Sequence, residues 1–474
     1  MSWLPAASFG LGLFAGVAAL AVDGWRSARG ALHVAAALLV AAAALAAAAA
    51  FEPIAPVFGM INAGGGFSAL QAVCLALGAG ALIAGATDLG ARPHGGQVAA
   101  LVAFSAVGSA ALVGVRELVG LFVVLESVAL LGYALVASAR TRASDEAAMK
   151  YFVQGSVAAG LLVYGVGILV ARAGGPQIAL LTGRASLVGV VFVACALAFK
   201  LGAFPFHSWV PDAYESAPAP VAAFLSAAPK LGAMVALASL FGGRGFAASF
   251  AGLPSVFAML AVASVIFGNV AALRQSSFAR LLGYSAVANA GYALIAMVSR
   301  SPRASVALFA TAYSIAALGS FAALQAVREL RPEWDGGVAG LAGLGRRSPV
   351  LAGSLAALML SLTGIPLTVG FWGKLPLFLA AMRSTWHPAL GGLRIDGVTL
   401  AVIGVVGSVV SFGYYGRVLK AAFLDPETSA EDTPGKWGGA LTVALLAATL
   451  VIVLGVLPFA TGLIGPLGRA LALR

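Results

Sequence analysis

The sequence predicts an all-α polytopic membrane protein with about fourteen transmembrane helices, two of them discontinuous. The first observation is composition: the chain is 61% hydrophobic and only 9% charged, with a mean hydropathy of +1.00. The second is the recurrence of apolar stretches of about 20 residues, the length that crosses a bilayer as a helix. The third is the lack of barrel-strand alternation in those stretches, which leaves the helix as the structure that satisfies its own backbone in hydrocarbon. The net charge of +11 is mostly arginine scattered through short loops. No basic cluster follows a phosphate backbone, so nucleic acid is not an expected partner. Cys74 and Cys195 lie singly inside apolar spans and read as packing residues.

The spans fall near residues 4–22, 31–50, 68–87, 97–115, 118–138, 145–170, 185–204, 219–241, 254–273, 280–298, 304–327, 349–383, 397–420 and 438–461. Residues 1–5 carry no basic segment, so the first run reads as a retained span. The second is rich in alanine from Ala36 to Ala50 and is expected to pack against protein, where small residues let helices approach closely. The twelfth is too long for one straight helix and holds Gly364, Pro366 and Gly370 at its middle. Beyond the seventh, Pro205, Pro211, Pro218 and Pro220 interrupt a stretch that remains apolar. Two interrupted spans in separate halves predict two inverted five-helix repeats with a site at the breaks. The expected divisions are 1–96 (spans 1 to 3), 97–241 (first repeat), 254–420 (second repeat) and 421–474 (last loop and span). With both termini on the outer side, Arg26, Arg29, Arg140, Arg280, Arg347 and Lys436 fall inside, opposed by Arg172, Arg184, Arg300 and Arg394.

Five ionisable residues stand in or beside these spans: Glu126, Lys150, Lys200, Lys230 and Lys374. A charge at the bilayer centre costs roughly 2.5–3.5 kcal/mol on insertion scales, and residues retained against that cost mark ion or proton pathways. Burial disfavours the charged form of an amine, while a nearby carboxylate favours it, so moving one against the other changes proton affinity. Arginine does not offer this, because it keeps its proton in proteins. Each residue also has a plainer reading. Glu126 would form a static ion pair, and Lys374, just past a break, would snorkel to the interface. Lys150 lies a turn or two inside its span, after a Ser144 cap with Asp145 and Glu146 in the first turn. His207 reads as a structural, water-coordinating residue, and Asp212 and Glu215 as part of a solvated or partner-facing turn. The four histidines, His33, His94, His207 and His387, are not paired at one depth for haem, and no nucleotide or flavin fingerprint is present. No metal or cofactor is expected on this chain.

The run FKLGAFPFHSWVPDAYESAPAPV from Phe199 to Val221 carries a resemblance. It is accompanied by Leu125-Glu126-Ser127, by Lys150-Tyr151-Phe152, by Ala228-Pro229-Lys230, by Arg280 to Ser285 and by Gly370 to Lys374. Together these resemble the antiporter-like subunits in the membrane arm of proton-pumping NADH:quinone oxidoreductase, respiratory complex I, with details nearest the subunit N branch. The motifs span roughly residues 115–380. The resemblance implies a proton relay in which Glu126 pairs with Lys200, Lys230 connects, Lys374 releases on the far side and Lys150 is auxiliary. It further implies a bacterial inner membrane, neighbouring membrane-arm subunits, and NADH, FMN, iron–sulfur clusters and quinone held by partner subunits. One position departs: Asn289 stands where the family usually has histidine. Asparagine orients water but does not take up a proton near neutral pH, so the link from Lys230 to Lys374 is expected to run through water guided by Tyr284, Tyr292 or Asn289. Backbone groups freed near Pro205 and Pro366, with His207 beside the first break, are expected to line hydrated cavities. A sodium–proton antiporter, a membrane subunit of a hydrogenase-type complex and a passive scaffold remain alternatives.

Overall fold

A computed structural model describes residues 3–25, 27–181, 186–242, 252–299, 301–386, 389–390, 393–394, 396–426 and 438–461. Arg26, Arg184, Arg300, His387 and Lys436 lie outside these residues. The helices, in chain order, are α1 (Leu4–Trp25), α2 (Ala28–Ala49), α3 (Gly65–Ala84), α4 (Gly95–Gly114), α5 (Leu118–Ala137), α6 (Arg142–Ala173), α7 (Leu187–Leu201), α8 (Trp209–Ser216) and α9 (Ala219–Phe241). They continue with α10 (Leu253–Leu273), α11 (Phe278–Ile295), α12 (Arg303–Leu330), α13 (Leu344–Arg347), α14 (Pro349–Thr363), α15 (Val369–Met382), α16 (Gly397–Phe423) and α17 (Gly439–Thr461). Among the described residues, 12 helices are long and apolar enough to cross a membrane, and α7, α14 and α15 are shorter apolar helices. Among the described residues there are also two small antiparallel hairpins, β1 (Ala55–Val57) with β2 (Ile61–Ala63), and β3 (Ala389–Leu390) with β4 (Leu393–Arg394). Strands this short leave no span-length apolar signal, so a reading of apolar runs passes over them.

Both predicted interruptions are real breaks, and both first halves end in the same way. The Ala203 amide donates to the Ala198 carbonyl at 2.9 Å, and the Ile365 amide donates to the Leu360 carbonyl at 3.1 Å. These are the six-to-one hydrogen bonds of a Schellman ending, which requires a left-handed residue just past the helix. Gly202 (φ 71°) and Gly364 (φ 90°) supply it. The second break adds Leu367 at φ 73°, an unusual conformation for a side chain of that bulk.

Helix α9 is the axis of the molecule: its apolar window is 100% buried inside the protein, against 33% for α6. Alanines dominate it, and it packs against α12, α4 and α3. Pro229 sits inside this helix and has no N–H to give to the Leu225 carbonyl one turn back. The Tyr214 hydroxyl, arriving from α8, donates to that carbonyl instead at 3.4 Å.

The predicted Ser144 cap is displaced by one turn. Thr141 is the N-cap, and Ser144 occupies the third helical position of a capping box. Asp212 and Glu215 also differ from expectation. They lie on a short helix rather than a turn and, while still partly exposed, fix α8 between two helices. Asp212 pairs with Lys150 of α6 at 3.2 Å and with Arg280 of α11 at 2.8 Å, and Glu215 pairs with the same Arg280 at 2.9 Å.

Candidate functional site

Three lysines are enclosed, with 3% exposure at Lys200, 1% at Lys230 and 5% at Lys374. Lys200 occupies the last turn of α7, and its amine donates to the Tyr151 hydroxyl at 3.4 Å. Tyr151 stacks on Trp209 with ring centroids 3.9 Å apart. The Trp209 indole N–H donates to the Phe199 carbonyl at 3.1 Å and so bridges the break from α8 to the end of α7. Glu126, on α5, is half-buried and within electrostatic reach of Lys200. No direct ion pair joins them among the described residues, so the expected contact pair is a separated one, with Tyr133 and Tyr151 also in reach of the carboxylate.

Lys230 is the most isolated of the three. Its amine has no hydrogen-bond partner among the described residues, and it lies 5.5 Å from the centre of the Tyr214 ring. A β-carbon at Gly202 would stand 3.8 Å from this amine, which therefore faces the break that follows Lys200. Lys374, on α15, turns back across the second break instead of snorkelling. Its amine donates to the carbonyls of Leu362 and Thr363 at 2.8 and 3.0 Å and lies 4.5 Å from the centre of the Tyr292 ring. An ammonium on the last carbonyls of α14 satisfies acceptors left open by the helix end and complements its dipole. Each buried lysine thus has its own tyrosine: Tyr151, Tyr214 and Tyr292.

Lys150 departs from the expected set of buried amines. Its side chain is 47% exposed and paired with Glu146 at 2.8 Å as well as with Asp212. His207 is half-buried in an aromatic slot, stacked on Phe204 and edge-on to Phe267 at 4.4 Å. Pro205 and Pro366 are exposed at their breaks.

Around Asn289 the polar groups form a chain that sequence reasoning saw only in part. The Asn289 amide donates to the Ser285 carbonyl at 2.9 Å, and the Ser285 hydroxyl is bonded to that of Tyr415. Tyr414 packs on Tyr415 and donates to Asn269 at 3.1 Å, and Asn269 donates to the Tyr292 hydroxyl at 3.2 Å. Of the expected guides, Asn289 and Tyr292 belong to this chain. Tyr284 does not: its ring lies toward Phe267, 6.3 Å away. Asn269, Tyr414 and Tyr415 went unnoticed in the sequence, where the available signal was a hydrogen-bonding side chain inside an apolar span. Between Asn289 and Lys374 lies a cavity of about 10 Å³, also lined by Tyr313 and Ser361. That is close to the space one water requires. A second cavity, about 490 Å³ and mostly apolar, opens beside the second break and is lined by Gly364, Pro366, Phe378, Phe412 and Lys374. Among the described residues, no group of three or more histidine, cysteine, aspartate or glutamate side chains is placed to hold a metal.

Residues 115–403 match the family described as NADH:quinone oxidoreductase/Mrp antiporter, transmembrane. The NADH-quinone oxidoreductase subunit N of Halorhodospira halophila is 36% identical over 379 residues, 77% of this chain and 76% of that protein. A chain of respiratory complex I from Thermus thermophilus, solved with bound aureothin, superposes with a TM-score of 0.79 at 29% identity, covering 96% of this chain and 98% of that one. A chain of the Mrp complex from a Dietzia species shares the fold, with a TM-score of 0.82 at 20% identity over 100% of this chain and 97% of its own. The matched region holds both breaks and all three enclosed lysines, and the chain belongs to the family of antiporter-like membrane subunits of NADH:quinone oxidoreductase, respiratory complex I.

Proposed function

We propose that this chain is a proton-translocating membrane subunit of an NADH:quinone oxidoreductase, moving protons along Glu126, Lys200, Lys230 and Lys374 as redox chemistry proceeds in partner subunits. The observation that carries the proposal is the placement of three enclosed amines at two helix breaks, with Lys230 lacking any hydrogen-bond partner among the described residues. An uncompensated buried ammonium is costly, so an amine kept in that setting is suited to exchanging its proton. The relatives' names, an NADH-quinone oxidoreductase subunit and a chain of respiratory complex I, support assembly in such a complex. Its other membrane-arm subunits are the proposed neighbours, and NADH, FMN, iron–sulfur clusters and quinone are proposed to lie in partner subunits.

The two broken helices, counted as one crossing each beside the 12 long helices, support a total of about fourteen crossings. An even number places both termini on one side, proposed as the outer side of a bacterial inner membrane. The shared Schellman endings support two inverted repeats, 97–241 and 254–420, flanked by 1–96 and 421–474. In the proposed step, approach of Glu126 holds the proton on Lys200, and withdrawal sends it past the break to Lys230. Lys374 releases its proton on the far side when the Leu362 and Thr363 carbonyls no longer hold the ammonium. Lys150 assists from outside the relay by anchoring α8 through Asp212.

The test is proton uptake per NADH oxidised by the intact complex in sealed vesicles. Lys230→Ala and Lys230→Arg are both expected to lower that ratio, since an alanine has no proton to pass and an arginine does not release one. A passive scaffold would leave the ratio unchanged in both, and that result would reject the proposal.

A further inference from the structure

We propose that Tyr313, on α12, passes protons between Lys230 and Lys374 through its hydroxyl and one water in the cavity it shares with Asn289. The inference rests on the lysine relay proposed above and names the group that completes its second half. Helix α12 packs on both lysine-bearing helices. Ser314 donates to the Ala227 carbonyl of α9 at 3.1 Å, and Phe309 and Ala312 receive α15 at Gly373, where a β-carbon would meet them at 3.2 and 3.0 Å. Tyr313 is 5% exposed and therefore enclosed at the seam between these helices. Toward Lys230 it is within electrostatic reach of Tyr214, whose ring lies under that amine. Toward Lys374 it lines the same small cavity as the amine, Asn289 and Ser361. On a third side it is within reach of Tyr415, the member of the Asn289 chain bonded to Ser285.

The chemistry fits the groups present. A phenol can donate its proton to a water while accepting another, so a hydroxyl and a water conduct a proton with no net change in either. The Asn289 amide cannot do this; its N–H₂ is committed to Ser285, and its side-chain carbonyl oxygen is the group that can hold the water, as an acceptor. Tyr313 lines one small cavity together with both Asn289 and Lys374.

The experiment measures proton uptake per NADH oxidised in vesicles, using intact complexes bearing Tyr313→Phe, Lys230→Ala, or Tyr313→Phe combined with Asn289→His. The phenylalanine keeps the ring and its packing and removes only the hydroxyl. The single Tyr313→Phe is expected to fall to the ratio given by Lys230→Ala. The double variant is expected to recover, because an imidazole at position 289 faces the same cavity and takes up protons near neutral pH. A wild-type ratio for Tyr313→Phe beside a lowered Lys230→Ala would overturn the role of Tyr313 alone. A lowered ratio that Asn289→His does not restore also overturns it, leaving Tyr313 as packing. A wild-type ratio for Lys230→Ala rejects the relay itself.

Discussion

At the residue scale, enclosed lysines do not stand alone; each meets a tyrosine. The partner decides what a substitution costs. Tyr151→Phe keeps the stack on Trp209 and removes the hydroxyl that accepts the Lys200 hydrogen bond. A buried charged group losing a partner costs about 1–3 kcal/mol, so the variant complex is expected to unfold earlier in detergent and to pump less per NADH. Lys150 gives the opposite expectation. Its ion pairs are exposed and screened by water, and it only steadies α8 from outside the relay, so Lys150→Met should lower the pumping ratio far less than Lys230→Ala does. The sequence disclosed the lysines because charge inside an apolar run is visible in one dimension. It did not disclose their partners. Tyr151 and Lys200 are on different helices, as are Tyr214 and Lys230, and only packing says which ring meets which amine.

At the element scale, the two breaks were legible because proline and glycine interrupt apolar runs for a stated stereochemical reason. Helix ends were legible to within a few residues, as 219–241 for α9 illustrates. The separated Glu126–Lys200 pair was not, since a direct contact and a longer electrostatic one leave the same residues in the sequence. The breaks also set a stability prediction. Gly202→Ala places a β-carbon 2.4 Å from Val210 and keeps the backbone in the left-handed region. The left-handed backbone alone costs about 1–2 kcal/mol, and overpacking adds about 1–3 kcal/mol. Thermal unfolding of the purified complex should show a clear loss. A β-carbon at Gly364 meets first the flexible side chain of Lys374, at 3.0 Å, so Gly364→Ala is expected to cost less than Gly202→Ala.

At the scale of the whole molecule, the most enclosed helices, α9, α11 and α12, carry Lys230, Asn289 and Tyr313, while Asn269, Tyr414 and Tyr415 reach the Asn289 chain from the less buried α10 and α16. Helix α8 is short and held to α6 and α11 largely through Asp212. Asp212→Asn leaves Arg280 with Glu215 alone and is expected to loosen α8, raising amide exchange at Trp209 to Ser216 while leaving α9 protected. The same exchange measurement bears on the second break. Because the Lys374 ammonium clasps the end of α14, its charge acts as a mechanical latch on the backbone. Discharge removes an attraction worth about 0.3–2 kcal/mol, which lets the last turn fray more often. Leu367, exposed and already contorted, lies just beyond that turn. In the relay proposed above, a single proton leaving the amine would thereby become motion at the protein surface beside Leu367.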